Sequence, residues 1–196
     1  MQIAIIDYNA GNIFSVDYAM RRLGVKAFVT SDKEAIAKAD KVIFPGQGEA
    51  NTTMRYLRES GMDKLILDLK QPVLGICIGM QLMCRWSEEG DTGCLGIFDA
   101  RVRRFVPQRH EDKVPHMGWN DLQNTKGELF KGGLDGEFVY FVHSYYVELN
   151  DYTTATSEHI QPFSVALQKN NYYATQFHPE KSGTVGEQIL ANFLAL

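Results

Sequence analysis

Cys77 lies between two glycines in the segment Val73-Leu74-Gly75-Ile76-Cys77-Ile78-Gly79-Met80-Gln81. An apolar run precedes the cysteine and a helix-like stretch follows it, which is typical of a nucleophile elbow, a sharp turn from strand to helix with one strained residue at its tip. The neighbours at minus two and plus two must be small, as Gly75 and Gly79 are. The start of a helix at the tip favours a thiolate over a thiol. The segment predicts a reactive cysteine, provided that a base is available.

A candidate base lies near the other end of the chain, in Phe177-His178-Pro179-Glu180. Residues 172–177 are typical of a strand that Pro179 stops, so His178 and Glu180 are expected on the loop at the end of that strand. There the carboxylate would orient the imidazole, the imidazole would take the thiol proton, and the sulfur would attack a carbonyl. Cys77, His178 and Glu180 are therefore the predicted catalytic triad.

A third segment supplies a predicted oxyanion site. Residues 41–44 have the pattern of a short buried strand and are followed by Pro45-Gly46-Gln47-Gly48. The backbone amides of this loop, at Gly46 and Gln47, are expected to converge with the Ile78 amide on the developing negative oxygen. Each feature taken alone has a plain structural interpretation, because buried cysteines are commonly inert and single loop histidines commonly only hydrogen-bonded. Their combination favours catalysis.

The elements that position these residues alternate between strand and helix in the first half of the chain. This alternation predicts a parallel sheet with helices on both faces. The predicted strands are residues 2–6, 26–30, 41–44 and 72–75, and the predicted helices are 13–23, a helix after 51, and 62–69. Ser31-Asp32-Lys33-Glu34 has the form of a capping box that opens a further short helix, and the helical stretch after Cys77 is expected to include Cys84.

The second half has a different pattern. From residue 93 to residue 176 most segments are strand-like, including 100–106, 137–142, 163–168 and 172–177, and a helix is predicted over 183–196. Ligands of doubly wound sheets bind beyond the carboxyl ends of the strands. Gly46, Cys77 and His178 each follow a strand, so they are expected to meet at one site.

Composition narrows the class of protein. The 196 residues fit one domain, 1–196, and a net charge of −4 gives no footprint for nucleic acid. No apolar run is long enough to span a membrane and the N-terminus begins a strand rather than a signal peptide, so a cytoplasmic protein is expected. The three cysteines, Cys77, Cys84 and Cys94, lack zinc-site spacing, and neither a metal nor a cofactor is expected.

The motifs around Cys77 and His178 resemble those of the triad, or class I, glutamine amidotransferases, in which the cysteine attacks the side-chain amide of glutamine and ammonia leaves. Three further segments resemble the glutaminase subunits of imidazole glycerol phosphate synthase, an enzyme of histidine biosynthesis, and the resemblance covers nearly the whole chain. These segments are Asp7-Tyr8-Asn9-Ala10-Gly11-Asn12, Pro115-His116-Met117-Gly118-Trp119-Asn120 and Phe141-Val142-His143-Ser144-Tyr145. The resemblance implies an α/β fold similar to the class I amidotransferases and flavodoxin, with a mostly parallel central sheet flanked by helices and a strand-rich second half.

The same resemblance implies which residues hold glutamine. They are Gln81, Glu89 and the backbone at Gly48, Ser144 and Tyr145. The position of Gln47 is commonly a small apolar residue in this family. Because a backbone N–H is what that position would contribute, the different side chain need not abolish activity.

A partner is implied as well, because released ammonia is useful only if an acceptor site receives it. By resemblance the partner is the cyclase subunit, a (β/α)8 barrel in a 1:1 heterodimer. It converts a phosphoribosyl formimino aminoimidazole carboxamide ribonucleotide into imidazole glycerol phosphate and aminoimidazole carboxamide ribonucleotide. The positions that match the family interface and ammonia exit are Asn12, Met117, Trp119, Tyr140 and Lys181.

Three other functions stay open at this point. A glutaminase subunit of another synthase, such as anthranilate, aminodeoxychorismate or pyridoxal phosphate synthase, would share the triad but differ around residues 115–120. A cysteine peptidase on a related α/β scaffold would be acylated by a peptide rather than by glutamine. A purely regulatory binding module is disfavoured because all three triad positions are intact.

Overall fold

The computed structural model describes residues 1–8, 13–46 and 48–196. In this part of the chain the strands are β1 Ile3–Ile6, β2 Ala27–Thr30, β3 Lys41–Phe44, β4 Val73–Ile76, β5 Cys84–Ser87, β6 Thr92–Gly93, β7 Phe98–Arg104, β8 His116–Asp121, β9 Phe138–His143, β10 Tyr145–Val147, β11 Thr153–His159, β12 Gln161–Lys169 and β13 Tyr172–Thr175. The helices are α1 Ile13–Arg22, α2 Lys33–Lys38, α3 Ala50–Ser60, α4 Met62–Asp68, α5 Ile78–Met83 and α6 Gly183–Leu194.

One half of the large sheet is parallel. Its strands follow the order β2-β1-β3-β4-β13, and every neighbouring pair among them is parallel. Phe44 pairs with Gly75, and Ile76 pairs with Thr175. The carboxyl ends of β3, β4 and β13 therefore lie side by side, which confirms the predicted α/β fold and the expectation that the segments after these strands meet.

The other half is largely antiparallel. From β13 the sheet continues through β12, β10, β7, β5 and β6, with β11 paired to β12, and the pairs β12–β13, β10–β12, β7–β10 and β5–β6 are antiparallel. β8 and β9 form a separate two-stranded antiparallel sheet. The predicted strand-rich second half is confirmed. β8, β10 and β11 had not been predicted individually, since polar residues interrupt their apolar patterns.

Two local predictions were wrong. Ser31, the first residue of the proposed capping box, does not cap α2. The cap is Asp32, whose side chain accepts hydrogen bonds from the backbone N–H groups of Glu34, at 2.8 Å, and Ala35, at 3.2 Å. An aspartate is as good a helix cap as a serine, and here it lies next to Lys33, where the helix begins. The helix after Cys77 also ends earlier than expected. Cys84 adopts an extended backbone and begins β5, which pairs with β7.

The apolar residues of the parallel strands alternate between two cores, one on each face of the sheet. Ala4, Ile6 and Phe44 belong to one core, and Ile5 and Ile43 belong to the other. This alternation follows from the two-residue period of a strand. No helix in the described ranges is long and apolar enough to cross a lipid bilayer.

Candidate active site

Cys77 is the residue at which β4 turns into α5. Its φ of 53° and ψ of −109° place a non-glycine residue in a backbone conformation that side chains rarely adopt. Strain of this kind persists only where the surrounding structure imposes it, and it is the feature that defines a nucleophile elbow. The predicted elbow is confirmed as a local structure, with the Cys77 thiol partly exposed.

Close backbone approaches explain the glycines around the elbow. A Cβ atom on Gly79 would overlap the carbonyl oxygen of Phe44, and one on Gly46 would overlap the carbonyl oxygen of Ile76. A Cβ on Gly75 would lie 2.9 Å from the Met83 sulfur and 3.0 Å from the carbonyl carbon of Gly79. The elbow is thus pressed against the end of β3, which brings the loop at Gly46 next to the Ile78 amide.

His178 and Glu180 form the second part of the arrangement. His178 Nδ1 lies 2.8 Å from Glu180 Oε1, both side chains are buried, and His178 also hydrogen-bonds to Cys77. Burial alone would lower the pKa of His178. The hydrogen bonds to Cys77 and Glu180 and the negative charges of these groups outweigh burial, and they raise the pKa to about 10. The imidazole is therefore a strong proton acceptor beside the thiol.

The backbone around His178 is tied to β9. The N–H of His178 donates to the Tyr140 carbonyl at 2.9 Å, and the N–H of Tyr140 donates to Ser182 Oγ at 2.9 Å. Ser182 Oγ in turn donates to the His178 carbonyl at 2.6 Å. A single 3-10 turn over Pro179–Lys181 lies between these contacts. The position of the His178 imidazole therefore depends on the position of β9.

A cavity of about 380 Å³ opens onto Cys77 and His178. Its volume falls in the range of about 300–1,000 Å³ that is usual for small-molecule sites. The cavity is lined by Gly46, Gly48, Cys77, Ile78, Gln81, Glu89, Pro115, Val142, His143, Ser144, Tyr145, His178 and Lys181. Every residue predicted to bind glutamine is among them. A wider hollow of about 1460 Å³, bounded by residues 104–120 and 158–160, has no cysteine, serine or threonine on its described walls.

Gln81 and Glu89 each have one side-chain atom hydrogen-bonded within the protein. Gln81 Nε2 donates to the Tyr145 carbonyl at 3.0 Å and to Gln176 Oε1 at 2.9 Å. Glu89 Oε2 accepts from the N–H of Ala50 at 2.8 Å, at the start of α3. Burial raises the pKa of Glu89, while the Ala50 hydrogen bond opposes that rise. Gln81 is left with its carbonyl end, and Glu89 with its second oxygen, for contact with a ligand.

Most of the predicted interface residues lie together on one side of the site. Met117 is 63% exposed and Trp119 is 55% exposed, and the Trp119 ring meets Tyr140 edge to face at a centroid distance of 6.0 Å. Lys181 is exposed at the rim of the cavity. Two predicted residues, Asn12 of the interface and Gln47 of the oxyanion loop, lie outside the described residues.

Sequence reasoning missed a buried pair of histidines, His116 and His143, of which His143 lines the cavity. His143 Nδ1 lies 2.6 Å from the Tyr145 carbonyl, and His116 Nδ1 lies 3.0 Å from His143 Nε2. Burial, together with repulsion from neighbouring imidazoles, lowers the pKa of His116 to about 4 and that of His143 to about 3, so both rings are neutral at neutral pH. Their spacing of 27 residues carries no signal in the sequence. Only their pairing across β8 and β9 brings them together.

Within the described ranges, no group of three or more histidine, cysteine, aspartate or glutamate side chains is arranged to hold a metal ion. The groups that meet at the cavity are a thiol, an imidazole, a carboxylate and backbone amides. This set is suited to nucleophilic attack on a carbonyl group.

Comparison with known proteins points the same way. The sequence model of the family described as glutamine amidotransferase class-I matches residues 4–196. The chain is 65% identical to the imidazole glycerol phosphate synthase subunit HisH of Bacteroides fragilis strain YCH46 and 63% identical to that of Bacteroides thetaiotaomicron, in each case over the full length of both chains. Among solved structures, a glutamine amidotransferase with 20% identity superimposes with a TM-score of 0.74 over 98% of this chain and 97% of its own.

Proposed function

We propose a function from the premise that this chain belongs to the class I glutamine amidotransferases and, within them, to the HisH subunits of imidazole glycerol phosphate synthase. In this proposal, Cys77, His178 and Glu180 are the triad that hydrolyses L-glutamine to glutamate and ammonia. The observation that carries the proposal is the meeting of a strained elbow cysteine and a carboxylate-bound imidazole at one cavity.

In the first half of the reaction, the Cys77 sulfur attacks the side-chain carbonyl carbon of glutamine while His178 takes the thiol proton. His178 then gives that proton to the leaving nitrogen, and ammonia departs from a thioester. In the second half, His178 takes a proton from water, the resulting hydroxide attacks the thioester, and glutamate leaves as the proton returns to sulfur. Glu180 keeps the imidazole in one tautomer through its 2.8 Å contact with Nδ1.

The carbonyl oxygen becomes negative in each tetrahedral intermediate. We assign its stabilisation to backbone amides at Ile78 and in the Gly46-Gln47 loop, since the loss of one such donor costs about 10²–10³ in rate. The close approach of Gly46 to the elbow supports this assignment.

The rest of the glutamine molecule would be held by the remaining wall of the cavity. The second carboxylate oxygen of Glu89 and the carbonyl end of Gln81 suit the α-ammonium group, and the backbone at Gly48, Ser144 and Tyr145 suits the α-carboxylate and the amide. All five residues line the cavity.

The relatives are named as subunits of a synthase, which supports a partner for this chain. We assign the partner as the cyclase subunit, a (β/α)8 barrel in a 1:1 heterodimer, which receives the ammonia and forms imidazole glycerol phosphate and aminoimidazole carboxamide ribonucleotide in the cytoplasm. Met117, Trp119, Tyr140 and Lys181, together with Asn12, would form the contact. The exposure of Met117 and Trp119 supports this assignment.

The test replaces the nucleophile. Cys77→Ala in the assembled complex should abolish glutamine-dependent synthesis and glutamine hydrolysis, yet leave ammonia-dependent synthesis within about twofold of wild type, because the thiol acts only in releasing ammonia. Both rates are measured on one preparation, with Cys94→Ala as the matched control at a thiol outside the cavity. Retained glutamine hydrolysis in Cys77→Ala would sink the assignment. Acylation of wild-type Cys77 by a peptide rather than by labelled glutamine would favour a peptidase.

A further inference from the structure

Gln176 lies immediately after β13, and its side chain is fully buried. Its Nε2 lies 3.7 Å from the Cys77 sulfur. We propose that Gln176 is a further catalytic residue, whose side-chain N–H donates to the Cys77 sulfur and stabilises the thiolate. The inference rests on the proposed function, in which Cys77 is the nucleophile.

The orientation of the Gln176 amide is decided by a backbone carbonyl. The Tyr145 carbonyl can only accept hydrogen bonds, so the end of Gln81 that faces it at 3.0 Å must be the donor Nε2. The same Nε2 lies 2.9 Å from Gln176, whose facing atom must then be the acceptor Oε1. The opposite end of Gln176, which faces the sulfur, is therefore the N–H donor.

The other groups around the sulfur show why a donor is needed there. The Val142 carbonyl oxygen lies 3.9 Å from the Cys77 sulfur, where it can accept from the thiol S–H but repels a thiolate. An N–H directed at the sulfur has the opposite preference. Hydrogen bonds to a charged acceptor are about twice as strong as neutral ones, and a buried position strengthens them further. Gln176 thus offsets the repulsion that Val142 imposes on the ionised nucleophile.

The test measures the reactivity of Cys77 directly. The full-length chain is alkylated with iodoacetamide at pH 7, without glutamine or partner. Burial raises the pKa of Cys84 well above its usual value and that of Cys94 to about 12, so neither thiol should compete, and Cys77→Ala establishes the background. Gln176→Met keeps the approximate shape and removes the donor, so it should slow alkylation by about five- to tenfold. The control is Gln168→Met, which removes a side-chain amide of β12 that does not line the cavity and should leave the rate unchanged.

A second readout separates a catalytic role from a structural one. In the complex with the partner, Gln176→Met should lower kcat for glutamine hydrolysis by about tenfold while changing KM by less than about twofold, because the lost contact is to the reacting sulfur. Gln176→Glu keeps an oxygen for Gln81 and places a second oxygen near the sulfur, so it should slow alkylation as well. Circular dichroism melting shows whether each variant is folded.

Unchanged alkylation in folded Gln176→Met or Gln176→Glu would overturn the inference. The result is distinct from a failure of the proposed function. If the wild-type complex hydrolyses glutamine while alkylation is insensitive to Gln176, only the role of Gln176 is lost. If wild-type Cys77 is alkylated but no glutamine is hydrolysed, the proposed function is what fails.

Discussion

His178 is held by contacts on both of its nitrogens, and these contacts determine what the ring can do. Glu180 occupies Nδ1 at 2.8 Å, so the other nitrogen is the one available to exchange protons with Cys77. The pKa is raised to about 10 because two negative partners, Cys77 and Glu180, stabilise the imidazolium. One partner is the thiolate created by the same proton transfer. The proton transfer and the ion pair it creates therefore stabilise each other.

This geometry predicts unequal costs for the two substitutions at His178 and Glu180. His178→Asn removes the proton carrier and should lower kcat by on the order of 10⁴-fold or more, whereas Glu180→Gln should cost roughly one to two powers of ten less, because the ring can still reach the productive tautomer. Glutamine hydrolysis is measured with the partner bound, and Glu137→Gln at an exposed loop is the control. A His178→Asn enzyme with wild-type kcat would remove His178 from the mechanism.

At the scale of elements, the two-stranded β8–β9 sheet joins the exposed side of the site to its inner wall. Met117 and Trp119 point to one face, and His116, Phe141 and His143 point to the other, as the alternation of a strand requires. The Tyr145 carbonyl can only accept, so His143 must carry its proton on Nδ1 and, being neutral, must accept at Nε2 from His116. Asn120 Nδ2, 3.3 Å from His116 Nε2, completes the chain.

The hydrogen-bonded pair of neutral histidines predicts that the protein loses stability in acid. The folded pKa values of His116 and His143, about 4 and about 3, lie below the ordinary value of 6.5, so the unfolded chain binds more protons as pH falls from 6.5. The free energy of unfolding should then fall by up to about 1.4 kcal/mol per pH unit for each ring until the folded rings protonate. Urea unfolding between pH 6.5 and 4.5 measures the slope.

The matched variants isolate the contribution of the buried rings. His143→Leu should reduce the slope of unfolding free energy against pH by up to about 1.4 kcal/mol per pH unit, even though the variant starts less stable. His110→Leu, at an exposed loop, should not change it. An equal slope in wild type and His143→Leu would mean that His143 titrates alike in the folded and unfolded chains.

At the scale of the whole molecule, the proposed partner face is one strand away from the triad. The Trp119 ring rests against Tyr140, and the backbone of Tyr140 is bound to His178 and Ser182. Exposed Phe14 and Tyr18 of α1 border the same region, where they share a hollow with Lys181. A partner that covers Trp119 can therefore bias the position of the Pro179–Lys181 turn through Tyr140, in addition to its own contact with Lys181.

The isolated chain is accordingly expected to be a poor glutaminase that becomes active when the barrel subunit and its nucleotide ligand bind. Loss of a single oxyanion donor in the free state is worth about 10²–10³ in rate, which is large enough for a switch. Glutamine hydrolysis is measured for the chain alone, with partner, and with partner and ligand. Comparable rates in all three conditions would refute gating but not the glutaminase assignment.

Variants of the proposed partner face test whether activation by the partner passes through that face. Trp119→Ala and Lys181→Ala should weaken activation by the partner, or release ammonia to solvent, with the fold intact. Leu149→Ala removes an equally exposed apolar side chain elsewhere and is the control. Full activation of Trp119→Ala, with unchanged affinity for the partner, would exclude this route.

The sequence by itself determined what depends on neighbours along the chain. The elbow could be predicted because its strain requires small residues at fixed spacing around Cys77, and the parallel strands because each is a short apolar run with a helix after it. The end of α5 at Met83 could not, because Cys84 is extended only through its pairing with β7.

Tertiary structure decided what depends on residues distant in sequence. Gln176 directs its N–H at Cys77, 99 positions away, because the Tyr145 carbonyl orients Gln81 and Gln81 in turn orients the Gln176 amide. The pKa of His143 falls because the fold buries the ring and places other imidazoles, including His116 of β8, beside it. Neither effect leaves a pattern along the chain, since hydrogen-bond direction and burial arise from strands that meet in space. Local spacing therefore indicated the proposed nucleophile, its base and the carboxylate that orients the base, whereas the fold determined the further groups that surround them, Gln176 and the buried histidines.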